Sequence, residues 1–329
     1  MEDESEGADI LMCYSAQVRA NYRDYVRRFG ADISLEEFAK LYGFGKSGPR
    51  KTPKALDESF ADGSTPEEQK VWNTIVQQRR ENVRSWQTAL FAQRKRLADA
   101  ERAIASGKVT KKATEDVRIA GNKIKQLKRW LEDAERTEPA RGDSRIYPGV
   151  YAPVMIWEDG RRIVKPMRFQ CRMQGWTAAV ERKYPGTYNA RRDSLDKSWG
   201  KHWGSKHAVI VIDAFYEHVW RHQAEGRALR DGEAEEDVVI EFRPNVGGEM
   251  LLACLWSDWG DGPDDKMLSF AFITDDPPPE VQAAGHDRCV IPIKSQYVDA
   301  WLQPNGDTEA MQRILDDRER PFFEHKLAA

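Results

Sequence analysis

The chain has 329 residues, 40% of them hydrophobic and 32% charged, with a formal net charge of −3. That length allows one large domain or two smaller ones, and the composition is that of a globular protein rich in surface helix, which excludes a disordered or fibrous chain. No apolar run approaches the length of a membrane span, and the acidic opening MEDESEGAD is the opposite of a signal or transit peptide. A cytoplasmic location is therefore expected.

The elements follow in chain order. Residues 14–30 (YSAQVRANYRDYVRRFG) carry apolar and aromatic residues at helical spacing and predict a helix ending at Gly30. ISLEEFAKLYGFG predicts a second, short helix with Ser34 as N-cap and Gly43 as C-cap. The tract 44–64 is rich in Gly, Pro, Lys and Ser and predicts a mobile connector.

Thr65-Pro66-Glu67-Glu68 then supplies an N-cap, a proline at the first helical position and early acids. Val76, Val83, Leu90, Leu97 and Ile104 recur every seven residues until Ser106-Gly107 breaks the pattern. A second stripe runs through Val117, Ala120, Ile124, Leu127, Trp130 and Ala134. Two heptad-patterned helices joined by a short turn predict an antiparallel hairpin, a coiled coil in miniature. Residues 65–141 hold 18 Lys and Arg against 11 Asp and Glu, an excess of +7, so the rest of the chain carries −10. A basic hairpin on an acidic body fits a polyanion such as DNA, or an unknown protein partner.

From about residue 145 the texture changes to short β-like runs. These are YAPVMIWEDGRRIVKPMRF with a turn at Asp159-Gly160, HAVIVIDAFYEH, DVVIEF, EMLLACLW, LSFAFIT and CVIPI. The chain closes on two helical segments, SQYVDAWL and DTEAMQRILDDRE. Strands without regular βαβ alternation predict an α+β fold with a curved, mostly antiparallel, barrel-like sheet, flanking helices and the hairpin as an insertion.

Four cysteines are too few and too scattered for a disulfide framework, and none has the paired CxxC spacing of a zinc site. No metal and no cofactor is expected. Cys171, Cys254 and Cys289 sit in apolar runs and are expected to be buried small hydrophobes. Cys13 directly follows Met12 and is followed by polar residues; it heads the chain if translation starts at Met12 or if residues 1–12 are removed.

Three later segments also stand apart from the core pattern: TYNARRDSL at 187–195, DAFYEH at 213–218 and GHDR at 285–288. Singly, each is explained by a turn, a strand end or a structural histidine. Together, and in order with Met12-Cys13, they resemble the SOS-response-associated peptidase family, abasic-site processing proteins that crosslink to single-stranded DNA. Met12-Cys13 matches the family's Met-Cys start, and Asn189-Ala190-Arg191 with Asp193 matches its Asn-Ala-Arg. Phe215-Tyr216-Glu217 matches its Gly-Phe-Tyr-Glu-Trp, and His286-Asp287-Arg288 matches its His-Asp-Arg-Met-Pro. The strand ACLW at 253–256 and the segment QYVDAWLQP at 296–304 add support. The chain departs from the pattern at His218, at Cys289-Val290 and at Arg168-Phe169-Gln170-Cys171.

The resemblance implies a leader over 1–12, a catalytic domain made of 13–45 and 143–329, and a hairpin insertion over 64–140. It implies an enzyme whose N-terminal Cys13 forms a covalent thiazolidine with the aldehyde of an abasic site in single-stranded DNA. An α-amine titrates near pH ~8, far below a lysine, so much of it is nucleophilic at neutral pH. By the same resemblance Glu217 is the acid/base at that amine, His286 serves the sugar hydroxyl or Schiff base, and Asn189 orients the amine and the sugar. Arg191 is expected at a flanking phosphate, with Arg168 and Trp176 as further DNA contacts. Abasic-site lyase activity and reversal of the crosslink are implied as well. Two other readings stand beside it: a cysteine autopeptidase that removes its own leader, and a non-catalytic nucleic-acid-binding module.

Overall fold

A computed structural model of the protein describes residues 15–43, 51–260 and 267–328. Met12, Cys13 and Tyr14 fall outside the described residues. The chain divides into two compact units, Met1–Asp62 with Arg141–Ala329, and Gly63–Ala140.

The first unit opens with β1 (Ser15–Val18), α1 (Tyr22–Phe29), β2 (Asp32–Ile33), α2 (Leu35–Gly43) and α3 (Lys54–Glu58). The helix expected over 14–30 thus forms only from Tyr22, and its first residues, Ser15–Val18, are strand. Ser15, Ala16 and Val18 are buried in a sheet, and tertiary pairing overrides the helical spacing. Asn21 starts the helix that does form by accepting a hydrogen bond from the Arg23 amide, and Gly30, at φ 57°, ends it. The described part of the expected connector is also folded. Leu56 and Phe60 are fully buried, and the Phe60 ring lies 4.6 Å from Tyr22 and 5.6 Å from Phe38. Two such side chains contribute about 2 kcal/mol each by leaving water, enough to pin a tract whose other residues are polar.

The second unit is a hairpin of α4 (Pro66–Ala105) and α5 (Lys111–Glu135). Thr65 and Glu68 form a reciprocal capping box at the start of α4, and Thr110 caps α5 by accepting from the Ala113 amide. The helices run antiparallel: the Trp86 ring lies 5.4 Å from Trp130, and Arg96 pairs with Asp116 near the turn. Ala120 and Leu127, seven residues apart, are buried on the inner face of α5.

The rest of the first unit holds β3 (Arg145–Ile146), β4 (Tyr151–Glu158), β5 (Arg161–Phe169), α6 (Ala178–Lys183), β6 (Asn189–Arg191) and β7 (His207–Trp220). They are followed by α7 (Arg221–Ala224), β8 (Asp237–Pro244), β9 (Met250–Trp259), β10 (Met267–Asp275), α8 (Pro279–Ala283) and β11 (Cys289–Val290). The chain closes on α9 (Val298–Leu302), α10 (Thr308–Asp316) and β12 (Phe323–Leu327). The fold is α+β, with a mostly antiparallel sheet that is in part a ring. β10 pairs β5, β5 pairs β4, β4 pairs β7, β7 pairs β9, and β9 returns to β10; only the β10–β5 step is parallel. Closing the ring leaves these five strands no free edge along their paired stretches. Phe169, Phe270 and Phe272, all fully buried, pack at centroid separations of 4.5, 5.4 and 5.8 Å.

β7 is the longest strand and changes partners along its length. His207–Ile212 pairs β9, whereas Phe215–Trp220 pairs β8, and Ile212–Tyr216 meets β1 on its other side. Buried on both faces, it reads in sequence as a nearly continuous apolar run, and the charged Glu217 inside that run is out of place on packing grounds alone.

Candidate active site

Glu217 and His286 meet in the interior. His286 Nε2 lies 3.2 Å from Glu217 Oε2, and both side chains are 0% exposed. β7 carries the glutamate. The histidine sits between α8 and β11, and its Nδ1 lies 2.9 Å from the Arg288 carbonyl and 3.2 Å from the Arg288 amide. If Nδ1 accepts from that amide, the ring proton sits on Nε2, the nitrogen nearer Glu217. If Nδ1 donates to the carbonyl, Nε2 carries a proton only when the ring is doubly protonated. Burying an ionisable pair of this kind costs several kcal/mol in desolvation, which apolar residues in its place would avoid. A buried acid beside a buried imidazole is therefore a candidate proton-transfer site.

The N-terminal strand runs to the same place. Ser15, the first described residue, pairs with Tyr216, the neighbour of Glu217. Arg145 fixes both: its guanidinium donates to Ser15 Oγ at 2.9 and 3.0 Å and lies 3.7 Å above the Tyr216 ring. The Tyr216 hydroxyl is raised above its ordinary pKa, first by burial and then by the nearby Glu241 carboxylate. Glu241 in turn is held by Arg141 and Arg243, and Arg243 reaches on to Gln17 of β1.

β10 organises the remaining candidates. Asn189 on β6 is opposite Phe272, and Arg191 is opposite Thr274, while β11 pairs with the same Thr274 through Val290 on the other side. The segments that carry Asn189 and His286 thus flank one strand end. The Asn189 side chain is buried; Arg191 is partly exposed and pairs with Asp193 at 2.9 Å.

Arg168 and Trp176 lie toward α6. Arg168 and Arg172 both bind Glu181, and Arg172 also stacks 4.0 Å over Trp259. Burial opposes the charge on Glu181, but the two guanidiniums outweigh it and hold the carboxyl below its ordinary range. Arg168 is thereby committed to a buried ion pair. Trp176 is half-buried against Tyr184, ring centroids 5.3 Å apart.

Cys171, Cys254 and Cys289 are buried, as their apolar surroundings imply. Burial pushes the Cys171 thiol up to about 12 and raises Cys254 too; at Cys289 burial acts first and the Glu217 charge adds to it. None of the three presents a thiolate near neutral pH. The sequence motifs miss two participants. Thr274 is 1% exposed, and its Oγ1 has no hydrogen-bond partner among the described residues. A hydroxyl that ends the apolar run LSFAFIT is its only signal in the sequence. Arg145 has none, because what it holds, Ser15 and Tyr216, is brought to it by the fold.

An α+β domain with a partly closed sheet and a buried carboxylate–imidazole pair defines the class, and comparison narrows it. The model of the family described as SOS response associated peptidase (SRAP) matches residues 108–327, more than half of the chain, and the chain belongs to that family. No match is found among the curated proteins. Solved structures that resemble it include a protein from Bordetella bronchiseptica, 18% identical, with a TM-score of 0.44, covering 56% of this chain and 87% of that one. A protein from Bacteroides thetaiotaomicron is 12% identical at a TM-score of 0.44, covering 56% and 78%. A phage-related protein from Bordetella bronchiseptica is 16% identical at 0.43, covering 59% and 85%. No helix among the described residues is long and apolar enough to cross a membrane.

Proposed function

We propose that the protein acts in the response to DNA damage by forming a covalent crosslink between Cys13 and an abasic site in single-stranded DNA. The observation that carries this reading is the pairing of Ser15 with Tyr216, next to the buried Glu217–His286 contact. Cys13 is two residues before Ser15, and two residues of chain reach at most about 7 Å. The other three cysteines are buried neutral thiols.

The reaction requires a free α-amine on Cys13, so residues 1–12 must be absent from the active form. The amine adds to the open-chain aldehyde, and the carbinolamine loses water to give a Schiff base. The thiol then adds across the C=N bond, its proton passing to nitrogen, and the thiazolidine closes. Each step moves one proton, which an acid beside an imidazole is chemically suited to give and take. Such transfers contribute roughly 10² to 10⁴-fold each. Glu217 serves the amine, His286 the sugar hydroxyl or Schiff base, and Asn189 orients both partners. Arg191, partly exposed, takes a flanking phosphate, and Trp176 offers a ring for stacking. A Schiff base beside a general base also opens β-elimination, hence lyase activity, and the same proton path run backwards reverses the crosslink.

Replacing Cys13 by Ser tests the reading. Loss of an SDS-stable adduct with abasic oligonucleotide, while binding of ordinary single-stranded DNA persists, is the expected result; an unchanged adduct would sink it.

A further inference from the structure

We propose that the middle of the hairpin is a second binding surface for single-stranded DNA, remote in sequence from the crosslinking residues. The proposal rests on the reading that DNA is the partner but not on the crosslinking chemistry. Between Glu81 and Asp99, α4 contains no acidic residue; between Asp116 and Glu132, α5 contains none either. The Trp86–Trp130 contact at one end and the Arg96–Asp116 pair at the other show that these two segments lie side by side. At 1.5 Å per residue they form a shared acid-free length of about 22 Å.

Nine cations fall within it. Arg96 is neutralised by Asp116 and Arg118 by Glu115. The other seven, four of them on α5, are exposed and have no ion pair among the described residues. A solvated helix ordinarily intersperses its charges with i,i+4 partners of opposite sign, and leaving out every carboxylate over two adjacent stretches costs self-repulsion. An anionic strand relieves that repulsion along its whole length.

Phe91 selects single strands. It is 75% exposed, where an apolar core would have buried it, and it stands between Arg84 at i−7 and Arg94 at i+3. An exposed ring flanked by guanidiniums offers an unpaired base a stacking platform next to contacts for the neighbouring phosphates. Phe91 and the partly exposed Trp130 together are too little apolar area for a protein interface, whereas one ring suffices for one base.

The test uses the full-length protein and an ordinary single-stranded oligonucleotide without abasic sites, with affinity measured by fluorescence anisotropy across a salt titration. The variant Arg84→Gln, Arg94→Gln, Lys125→Gln, Lys128→Gln keeps good helix formers at exposed positions, and circular dichroism verifies its helix content. If these side chains contact phosphates, affinity falls at least tenfold and the log–log salt slope shrinks by about 0.7 per contact, or about 3 in all. Phe91→Ala weakens single-strand binding about fivefold or more and leaves duplex binding unchanged. Unchanged affinity and slope in the fourfold variant would overturn the proposal and assign the hairpin to another partner. Adduct yield with abasic DNA, read separately on wild type, decides the crosslinking reading, so failure of one is distinguishable from failure of the other.

Discussion

In the β-rich unit, Glu217 and His286 lie 3.2 Å apart at a place where neither side chain is exposed, and Glu181 and Glu241 are likewise buried against guanidiniums. In the hairpin, seven exposed cations form no ion pair among the described residues. The first arrangement makes every charge depend on a specific neighbour, so single substitutions there carry large effects. The second spreads charge along two helices, so each residue matters little and only the sum is felt. Interior electrostatics is strong and local; surface electrostatics is weak, additive and sensitive to salt.

The largest effect expected on this contrast is at Glu217. Glu217→Gln keeps the shape but removes the ionisable carboxyl beside His286, and the rate of adduct formation in single-turnover assays should drop by ~10² to 10⁴-fold. His286→Gln should reduce the same rate and flatten its pH profile, a change that a purely structural histidine would not produce.

Next comes the buried ion pair beside α6. Glu181→Ala strands Arg168 and Arg172, and stability in urea unfolding should fall by about 3 kcal/mol, the cost of leaving buried charge unpaired. Its hairpin counterpart is Arg96→Ala, which opens the Arg96–Asp116 pair; with the Arg96 side chain 38% exposed, less than 1 kcal/mol is expected. Equal losses at the two sites would break the comparison.

Acid provides a further test. Burial first, joined at His202 by the charge of Lys206, lowers His202 to about 4, and burial lowers His207 to about 3, from an ordinary 6.5. Below pH 6.5 the unfolded chain therefore binds more protons than the folded one, so stability is full above that pH and is lost as pH falls toward 4 and 3. Once fully titrated, His202 costs ~3 kcal/mol and His207 ~5 kcal/mol. Glu181, held below its ordinary value, works in the same direction at lower pH. Thermal unfolding from pH 7 to pH 4 should show the β-rich unit losing stability over that window, while the hairpin, which contains no histidine, moves least.

What the sequence disclosed followed from local periodicity. Heptads mark α4 and α5, and apolar runs bounded by turn residues mark the long strands, because both patterns are set within a few residues. The failures arose where distant partners decide. Ser15–Val18 sits inside a helix-spaced run and becomes strand only because β7 and β3 are there to pair with it. Leu56 and Phe60 were hidden by the polar residues around them, and β12 forms because β8 offers an edge. The site divides the same way. Asn189, Glu217 and His286 were legible as motif members. The contact between Glu217 and His286, the clamp of Arg145 on Ser15 and the placement of Thr274 are products of sheet topology and leave no local trace.

Intact-mass analysis of the purified protein before and after reaction with an abasic oligonucleotide tests the central claim most directly. The account predicts that only a chain beginning at Cys13 gains the mass of the oligonucleotide less one water, with the modification mapping to Cys13. An adduct on a chain that still begins at Met1, with Cys13 internal, would contradict it.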